Sequence, residues 1–431
     1  QRPPERGAVR VTILTQYYPP EIGAPQARLS EFAAALVRRG HEVTVLTAMP
    51  SYPVGRIHPG YGGVLRRESR DGVRIIRTLI FPTQRADLLG RLANYFSFLC
   101  SATAAGSLLL RRCEYLLVES PPLFLGLAGL WLSWRTGAAM VFNVSDLWPE
   151  SAIRLGILRP GSLGHRFGAW LEGLCYRQAA LVTGQTQAIV ADIAARFPRC
   201  RTYHFSNGVN TRAFHPERRT AAARGSLVAN GANACVALYA GLHGLAQGLD
   251  QVLDAADALR AHPTLRLVLL GDGPAKDRLV EQARQRRLGN VRFLEPRPRD
   301  QVPPLVAAAD IVIVPLATHL PGATPSKLYE AMACGRPVVV VAEGEPAAIV
   351  REHRAGIVVR PGDGPGLVDA LRTLSGDAAL RQELGANGRH AAERLFDKRE
   401  IDNDFIEYLE RLDRSAPAVG DVPRPVPSER T

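Results

Sequence analysis

Lys327 and Glu330 stand three residues apart in the segment PSKLYEAMACGRP, which follows an apolar run, IVIVPL, and a loop rich in glycine and proline. This order predicts a strand, a loop and then a helix over residues 326–334, which Gly335 and Pro337 bring to an end. The free N–H groups at the start of such a helix suit a phosphate group, and a lysine there adds positive charge. Glu330, on the same helix face, could accept the two hydroxyls of a ribose.

The spacing of Lys327 and Glu330 has a second explanation, a surface ion pair that contributes well under about 1 kcal/mol. Lys327 is unusual, however, because it is one of only three lysines in a chain with 53 lysines and arginines. A cation is also electrostatically disfavoured at a helix start, and a bound anion would remove that disadvantage. We therefore predict that Lys327 holds a diphosphate.

A second glycine-rich loop, YAGLHGLAQG over residues 239–248, also follows an apolar strand. Its three glycines would let a ligand approach the backbone closely, although their spacing is not that of a dinucleotide-binding loop. Gly241, His243 and Gln247 are the candidate binding residues in this loop. Gly271, in the segment LGDGP at the end of another strand, is a further candidate, although a turn alone would explain it.

In the first half of the chain, acidic and aromatic residues follow two of the predicted strands. The segment NVSDLWPES contains Asp146, a candidate acid or base that would equally suit the cap of a helix. Trp148 could stack on a sugar or, as is commoner for such a residue, fill the core. Glu150 follows it. The segment YYPPEIGAPQAR places Glu21 and Gly23 just before another predicted helix.

The composition is that of a globular protein with two domains, because 431 residues exceed one ordinary core and 46% of them are hydrophobic. The net charge of +12 predicts anionic partners such as phosphorylated substrates or an acidic membrane surface. The arginines are not interleaved with aromatic residues as in nucleic-acid modules, so we predict no nucleic acid partner. The six cysteines have no metal-binding spacing, which predicts reduced thiols in the cytoplasm and no zinc site.

Strands alternate with helices along nearly the whole chain, which predicts an α/β protein with parallel sheets and helices on both faces. A turn-rich connector separates two such series. We predict two doubly wound Rossmann-like domains, residues 1–205 and 206–385, which face each other across a cleft. Residues 386–412 are predicted to form helices that pack back toward the first domain, and residues 413–431 to form a disordered tail.

Residues 92–110 form an uncharged run that is long enough to cross a membrane. Polar residues such as Asn94 and Tyr95 weaken its hydropathy, and we predict a core helix or a helix at the membrane surface. No signal peptide is evident. Together with the basic charge, these features predict a cytoplasmic protein bound peripherally to the inner face of the cytoplasmic membrane.

These segments together resemble the family 4 retaining glycosyltransferases, which have the GT-B fold of two facing Rossmann-like domains. The resemblance runs from YYPPEIGA to the C-terminal helices and includes the connector SNGVNTRAFHP and the segment LGDGPAKDRL. PSKLYEAMACGRPVV looks like the nucleotide-sugar motif of the family. DLWPESA and GLHGLAQGLD are similar to a subgroup that builds bacterial surface polysaccharides, often from UDP-linked N-acetylated amino sugars or deoxysugars.

The resemblance implies roles for individual residues. Glu330 would bind the ribose of the donor, and the amides of Ser326, Lys327 and Leu328 would bind its diphosphate. Gly23 would lie near the donor phosphates and the acceptor. The predicted site also includes Gly241, His243, Gln247 and Gly271 on the donor side, Asp146 as a catalytic residue together with Lys327, and Glu21, Trp148 and Glu150 on the acceptor side.

The sequence departs from the family pattern at several positions. The first glutamate of the E-x7-E pattern falls at Gly322, so the usual contact to the donor sugar is absent or moved. The Arg and Lys of the G-R-x4-K-G loop fall at Leu242 and Gln247, and we predict that Lys327 supplies the missing positive charge. The position where many members carry a histidine near the transferred sugar is Ser145.

The implied reaction moves a sugar from a nucleotide sugar, a UDP-N-acetylhexosamine or a related UDP-sugar, to an acceptor hydroxyl with retention. The predicted setting is the synthesis of a bacterial polysaccharide such as O-antigen or exopolysaccharide, with a lipid-linked saccharide as acceptor. We find no D-x-D pattern of the kind that argues for Mg²⁺ in donor binding, and we predict that no metal is required.

Three alternatives stay open. The first two are a UDP-sugar epimerase and a phosphorylase of the same architecture, and the third is a nucleotide-binding assembly subunit without catalysis. A dinucleotide oxidoreductase is disfavoured, because neither βαβ start has G-x-G-x-x-G.

Overall fold

The computed structural model describes residues 8–21, 23–52, 55–83, 88–154, 156, 158–228, 234–262, 264–319 and 322–412. The chain divides into two compact units. The first contains the residues up to Ser206 and those from Asp402 onward, and the second contains Asn207–Ile401. The tail predicted over residues 413–431 lies outside the described residues.

The first unit is built on an eight-stranded sheet. Its strands, in chain order, are β1 (Arg10–Leu14), β2 (Glu42–Ala48), β3 (Leu65–Arg70), β4 (Val73–Thr78), β5 (Tyr115–Ser120), β6 (Ala139–Val144), β7 (Leu181–Gly184) and β8 (Thr202–His204). They lie in the order β3-β4-β2-β1-β5-β6-β7-β8, parallel except that β3 runs antiparallel to β4. Strand β5 is buried at every position, as expected for a parallel strand with helices on both sides.

Six helices of the first unit are α1 (Ala24–Arg38), α2 (Leu88–Leu109), α3 (Leu125–Thr136), α4 (Glu150–Arg154), α5 (Leu163–Gln178) and α6 (Gln187–Arg196). Helices α2, α3 and α5 pack on one face of the sheet, where they contribute Phe98, Leu132 and Leu171 to a single apolar core. Phe32 of α1 is also fully buried, and its ring lies 5.1 Å from that of Phe205.

The second unit is built on a six-stranded parallel sheet. Its strands are β9 (Cys235–Ala240), β10 (Leu265–Leu270), β11 (Val291–Leu294), β12 (Ile311–Pro315), β13 (Val338–Val341) and β14 (Gly356–Val359). They lie in the order β11-β10-β9-β12-β13-β14. The direction in which successive strands are added therefore reverses between β9 and β12, and a ligand-binding crevice is expected at the carboxyl ends of these two strands.

The remaining helices are α7 (Ala221–Val228), α8 (Asp250–Ala258), α9 (Lys276–Gln285), α10 (Val302–Ala308), α11 (Ser326–Ala333), α12 (Glu345–Glu352), α13 (Gly364–Gly376), α14 (Ala378–Leu395) and α15 (Lys398–Arg411). Helix α14 packs on α11 in the second unit, where Arg389 Nη1 donates to the carbonyl of Ala333 at 2.6 Å. Helix α15 begins in the second unit, and its residues from Asp402 onward belong to the first. There Phe405 lies 4.3 Å from Phe205, measured between ring centroids.

The predicted fold class is confirmed, because each unit is a doubly wound, Rossmann-like α/β domain. The helix predicted over residues 326–334 is α11, one residue shorter than expected. The hairpin of β3 and β4 was not predicted. Strand β3 has the sequence LRRESR and is exposed at five of its six positions, so its charged residues do not show the alternation of a half-buried strand.

Candidate functional site

The loops after β9 and β12 leave the second sheet where its strand order reverses. Hydrogen bonds join these loops. The N–H of Ala317 donates to the carbonyl of Ala246 at 2.9 Å, and Gln251 Nε2 donates to the carbonyl of Leu316 at 3.0 Å. The two loops are therefore held together as one surface at the carboxyl edge of the sheet.

Helix α11 begins at this surface. Its cap position is Pro325, which has no side-chain donor or acceptor, and no side chain caps the first turn. Among the described residues, no acceptor faces the N–H groups of Ser326 and Lys327. The N–H of Leu328 instead donates to the carbonyl of Pro325 at 3.0 Å, and the Leu328 side chain is buried in the core. The predicted anion site at this helix start thus has two available amides, and the amide of Leu328 is already used.

The side chain of Lys327 extends over the loop that follows β9. Its Nζ lies 5.4 Å from the centroid of the Tyr239 ring, and a Cβ built on Gly241 would come within 2.1 Å of Lys327 Cε. Within the described part of the chain no carboxylate forms an ion pair with this ammonium, which lies over the ring of Tyr239. Burial lowers the pKa of Lys327 from its usual value of 10.5. The structure therefore brings together Lys327 and Gly241, two of the predicted site residues.

Gly241 and Gly271 let two strand-end loops approach closely. Their φ angles are +150° and +140°, and a Cβ on Gly271 would lie 1.9 Å from the carbonyl oxygen of Gly241. The N–H of Gly241 donates to the carbonyl of Leu270 at 2.8 Å. Only glycine has both the conformational freedom and the small size for such a contact. Gly271 thus packs directly against the backbone of Gly241.

His243 is fully buried beneath the same loop. Its ring lies 5.8 Å from that of Tyr239 and 6.2 Å from that of Phe293, and neither ring nitrogen has a hydrogen-bond partner among the described residues. Burial, and then the charge of Lys276, lower the pKa of His243, so its neutral form is favoured. The Oε1 atom of Gln247 is likewise buried and unpartnered in the described part. Two polar side chains of the predicted loop therefore retain unused hydrogen-bonding capacity.

Glu330 is partly buried in α11, one turn beyond Lys327. No salt bridge links Lys327 and Glu330, both of which are described, so the alternative of a surface ion pair is not realised. Gly322, the position of the missing glutamate, is buried with a φ angle of +75°. Two residues later, the buried Oγ1 of Thr324 has no partner among the described residues. Thr324 is not among the site residues that the sequence predicts.

Glu21 and Gly23 belong to the first unit. Glu21 is buried, and its carboxylate accepts hydrogen bonds from the backbone N–H groups of Tyr18 at 3.1 Å, Ser51 at 2.8 Å and Tyr52 at 2.8 Å. Burial raises the pKa of Glu21, and these three donors oppose that shift. Glu21 thus ties two loops together. Gly23 is the cap residue of α1 and provides no side-chain hydrogen bond.

Asp146, Trp148 and Glu150 lie around the start of α4. Ser151 Oγ donates to the carboxylate of Asp146, and burial raises the pKa of Asp146. Trp148 is partly buried and packs against the core of the first unit. Glu150 is exposed and pairs with Arg154 at 3.1 Å. These contacts position the loop, and the catalytic and acceptor roles of the three residues stay predictions.

A buried ion pair near the end of β5 was missed by sequence analysis. Arg28 Nη2 lies 2.5 Å from Glu119 Oε1, and both side chains are almost fully buried. The same guanidinium donates to Ser145 Oγ at 2.8 Å and, through Nη1, to Gln185 Oε1 at 2.9 Å. Ser145 is the position at which many family members carry histidine. A glutamate at the end of the apolar segment YLLVE was the available signal for this network.

No three His, Cys, Asp or Glu side chains are grouped in the described residues so that they could hold a metal ion. The sequence does contain one D-x-D run, Asp402–Asn403–Asp404, but it lies within α15.

Both halves of the chain match glycosyltransferase families. Residues 23–208 match the family described as Glycosyl transferase 4-like domain, and residues 230–391 match the family described as Glycosyl transferases group 1. Over 414 residues the chain is 26% identical to a protein of Escherichia coli strain K12 that carries the name colanic acid biosynthesis glycosyl transferase WcaI. That alignment covers 93% of this chain and 100% of the relative.

Solved structures with a similar fold include the sucrose-phosphate synthase of Thermosynechococcus elongatus, with a TM-score of 0.75 at 19% identity over 94% of this chain and 99% of that one. Another is HepE of Anabaena in complex with UDP-glucose, with a TM-score of 0.69 at 20% identity over 94% of this chain and 100% of that one. At such identities the likeness shows a shared fold. Together with the two family matches, it shows that this chain belongs to the GT4-type glycosyltransferases, which have the GT-B fold.

Proposed function

We propose that this protein moves a sugar from a UDP-sugar, such as a UDP-N-acetylhexosamine, to a hydroxyl group of a lipid-linked saccharide, with retention at the anomeric carbon. The observation that carries the proposal is the position of Lys327. It stands at the uncapped start of α11, its side chain covers Gly241, and no described carboxylate forms an ion pair with it. A diphosphate is an anion of the right chemistry for this place.

The reaction breaks the bond between the anomeric carbon and a phosphate oxygen. The acceptor oxygen forms the new bond to that carbon, and the hydroxyl proton passes to the departing UDP. Negative charge therefore develops on the leaving diphosphate. The N–H groups of Ser326 and Lys327 and the ammonium of Lys327 are placed to stabilise that charge. Glu330, with no partner in the described part, is available for the ribose hydroxyls. We propose that no metal ion is needed.

Two relatives support the choice of substrates. HepE was solved with UDP-glucose, and WcaI is named for colanic acid biosynthesis. A bacterial surface polysaccharide assembled on a lipid carrier is therefore the proposed setting, with the enzyme in the cytoplasm at the inner face of the cytoplasmic membrane. The basic net charge of +12 favours such an anionic surface.

A thermal-shift panel with UDP, several UDP-sugars, GDP and NAD at equal concentration tests the donor site. UDP and at least one UDP-sugar should raise Tm, because a ligand at about 100 times its Kd stabilises the folded state by roughly 2.7 kcal/mol. NAD should leave Tm unchanged. A shift with NAD and none with any nucleoside diphosphate would contradict the proposal.

Turnover separates a transferase from its alternatives. The UDP-sugar that shifts Tm is incubated alone and with a lipid-linked saccharide, with and without EDTA. A transferase releases UDP rapidly only when the acceptor is present, and we expect EDTA to change nothing. An epimerized sugar from donor alone would indicate an epimerase. Sugar phosphate formed with inorganic phosphate would indicate a phosphorylase, and binding without UDP release from any pair would indicate an assembly subunit.

A further inference from the structure

Exposed aromatic and other large apolar side chains are concentrated on three helices of the first unit. Trp131 and Trp134 of α3 are 48% and 73% exposed, and Phe167 and Trp170 of α5 are 44% and 53% exposed. Leu108, in the last turn of α2, is 83% exposed. No aromatic residue is among the large exposed hydrophobic side chains in the described part of the second unit. Such a concentration on one layer marks an interaction surface.

The aromatic residues are held by one another and by neighbouring helices. Trp131 Nε1 donates to Ser107 Oγ of α2 at 2.9 Å, and the rings of Trp131 and Trp134 lie 5.1 Å apart. Ring contacts of 5.0 Å between Phe96 and Phe124, and of 6.2 Å between Phe124 and Phe167, connect α2 to α5. The outward sides of the three helices are therefore joined by side-chain contacts into one surface, which we call the aromatic face.

Helix α2 packs on the core with one side and contributes to the aromatic face with the other. It contains the one stretch in the described residues, Leu92–Leu109, that is long and apolar enough to cross a membrane. Its inward side nevertheless packs on the sheet through Phe98 and Ala102. At Gly106 a Cβ would lie 2.8 Å from Leu132 of α3, so the two helices are in close contact. Helix α2 is thus part of the folded unit, with its opposite side left for another partner.

In the described part of the chain, the exposed charged side chains on and just after the three helices of the aromatic face are basic. Helices α2 and α3 contain no acidic residue, and the single acidic residue of α5, Glu172, is buried and paired with Arg196. Exposed arginines follow α2 and stand on α3 and α5: Arg111, Arg112, Arg135 and Arg166. Arg111 and Arg112 also line a cavity of about 470 Å³, to which three further arginines and two glutamates contribute: Arg10, Arg67, Arg74, Glu42 and Glu68.

We propose that the aromatic face docks this protein on an anionic phospholipid bilayer, with tryptophans at headgroup level and the arginines against lipid phosphates. Tryptophan favours the membrane interface because its ring is apolar and its N–H is polar, and arginine is attracted to anionic lipids. A second copy of the chain fits less well, because a symmetric dimer would place these arginines opposite one another without acidic partners. The docking rests on the proposed function in one respect: it would bring the enzyme to a lipid-linked acceptor.

The test is co-sedimentation of the full chain with vesicles of phosphatidylglycerol and phosphatidylcholine, compared with phosphatidylcholine alone, without donor or acceptor. The wild type should bind the anionic vesicles, and brominated lipids should quench its tryptophan fluorescence. Trp134→Ser with Trp170→Ser should lower binding at least tenfold, whereas Leu395→Ser, an exposed apolar residue of the second unit, should not.

Arg111→Gln and Arg112→Gln should each weaken binding to the anionic vesicles about fivefold. Arg351→Gln and Arg360→Gln are the matched controls.

Equal binding to neutral and anionic vesicles, or unchanged binding of the tryptophan variants, would overturn the proposal. Sedimentation equilibrium of the wild type showing a dimer that the tryptophan variants abolish would assign the face to a second copy instead. Melting temperature and the shift with UDP verify that each variant is folded. Because vesicle binding uses no nucleotide, a failed donor assay and a failed docking assay remain separate results.

Discussion

Lys327 occupies the space that a side chain at position 241 would need. A Cβ on Gly241 would lie 2.1 Å from Lys327 Cε and 2.7 Å from its Nζ. The lysine can therefore extend over the loop after β9 only because that loop has a glycine there. This contact joins the glycine-rich loop and the start of α11, which the sequence predicts as two separate binding segments.

Replacing Gly241 with alanine should displace Lys327 and weaken UDP binding at least tenfold, about 1.4 kcal/mol or more. The φ angle of +150° adds backbone strain. Gly362→Ala is the matched control, because Gly362 has a φ angle of +83° with nothing within 4 Å of the added Cβ. Calorimetric titration with UDP measures both variants. Equal losses of UDP affinity in the two variants would mean that displacement of Lys327 is not the cause.

Lys327→Met should weaken UDP binding by about tenfold to a hundredfold, because a hydrogen bond to a charged group contributes roughly 1.5–3 kcal/mol. Methionine keeps the apolar part of the side chain that packs beside Tyr239. Lys276→Met serves as the control, since Lys276 is already paired with Glu295 at 2.9 Å. Normal donor affinity and turnover in the Lys327 variant would refute the role given to this lysine.

Donor affinity should fall as pH rises. Burial lowers the pKa of Lys327 below 10.5, and the charge of Glu330 offsets only part of that effect. A bound diphosphate favours the protonated lysine, so above the pKa of the free protein binding must take up a proton, and affinity declines by up to about tenfold per pH unit. Titration with UDP from neutral pH to about pH 10 should show this decline in the wild type and not in Lys327→Met.

The lowered pKa of Lys327 also affects stability, and here the effect of rising pH is opposite to its effect on donor affinity. Without a ligand, the unfolded chain binds this proton more tightly than the folded protein does. The contribution of Lys327 to the free energy of unfolding therefore rises with pH through its folded pKa and levels off near 10.5. Denaturant titrations of the wild type and of Lys327→Met over the same pH range provide the check.

Glu21→Ala should destabilise the first unit by roughly 3 kcal/mol or more, because three backbone N–H groups would lose a charged acceptor in the interior. Glu150→Ala should change stability by less than about 1 kcal/mol, since its pair with Arg154 is exposed. Urea unfolding compares the two. A Glu21 variant of normal stability but reduced acceptor use would instead support the predicted acceptor role.

Removing either Arg28 or Glu119 alone should cost about 3–5 kcal/mol, because the remaining charge would be buried without its partner. The double change, Arg28→Met with Glu119→Leu, should cost much less than the sum of the single changes. A double-mutant cycle of unfolding free energies measures this coupling. Additive losses would show that the two side chains do not act as a pair.

Much of the fold was predictable because buried parallel strands are continuous apolar runs, such as VVVV in β13. The start of α11 was predictable for a related reason, since a strand, a glycine-proline loop and a helix follow in order. The Arg28–Glu119 pair was not, because 91 positions separate the two residues and only the fold brings them together. The burial of His243 was also not predictable, because a lone histidine in a glycine-rich loop suggests an exposed side chain.

Helix α15 also determines which fragments of this protein can fold independently. Phe405, midway along this helix, packs against both Phe32 and Phe205, with ring centroids 5.4 Å and 4.3 Å away. The hydroxyl of Tyr115 donates to the carbonyl of Leu409 at 2.6 Å. A fragment that stops at Ser206 would therefore leave aromatic rings of the first sheet open to water. The polypeptide must therefore be synthesised through α15 before the first unit can close, so that unit completes its core only after the second unit has been made.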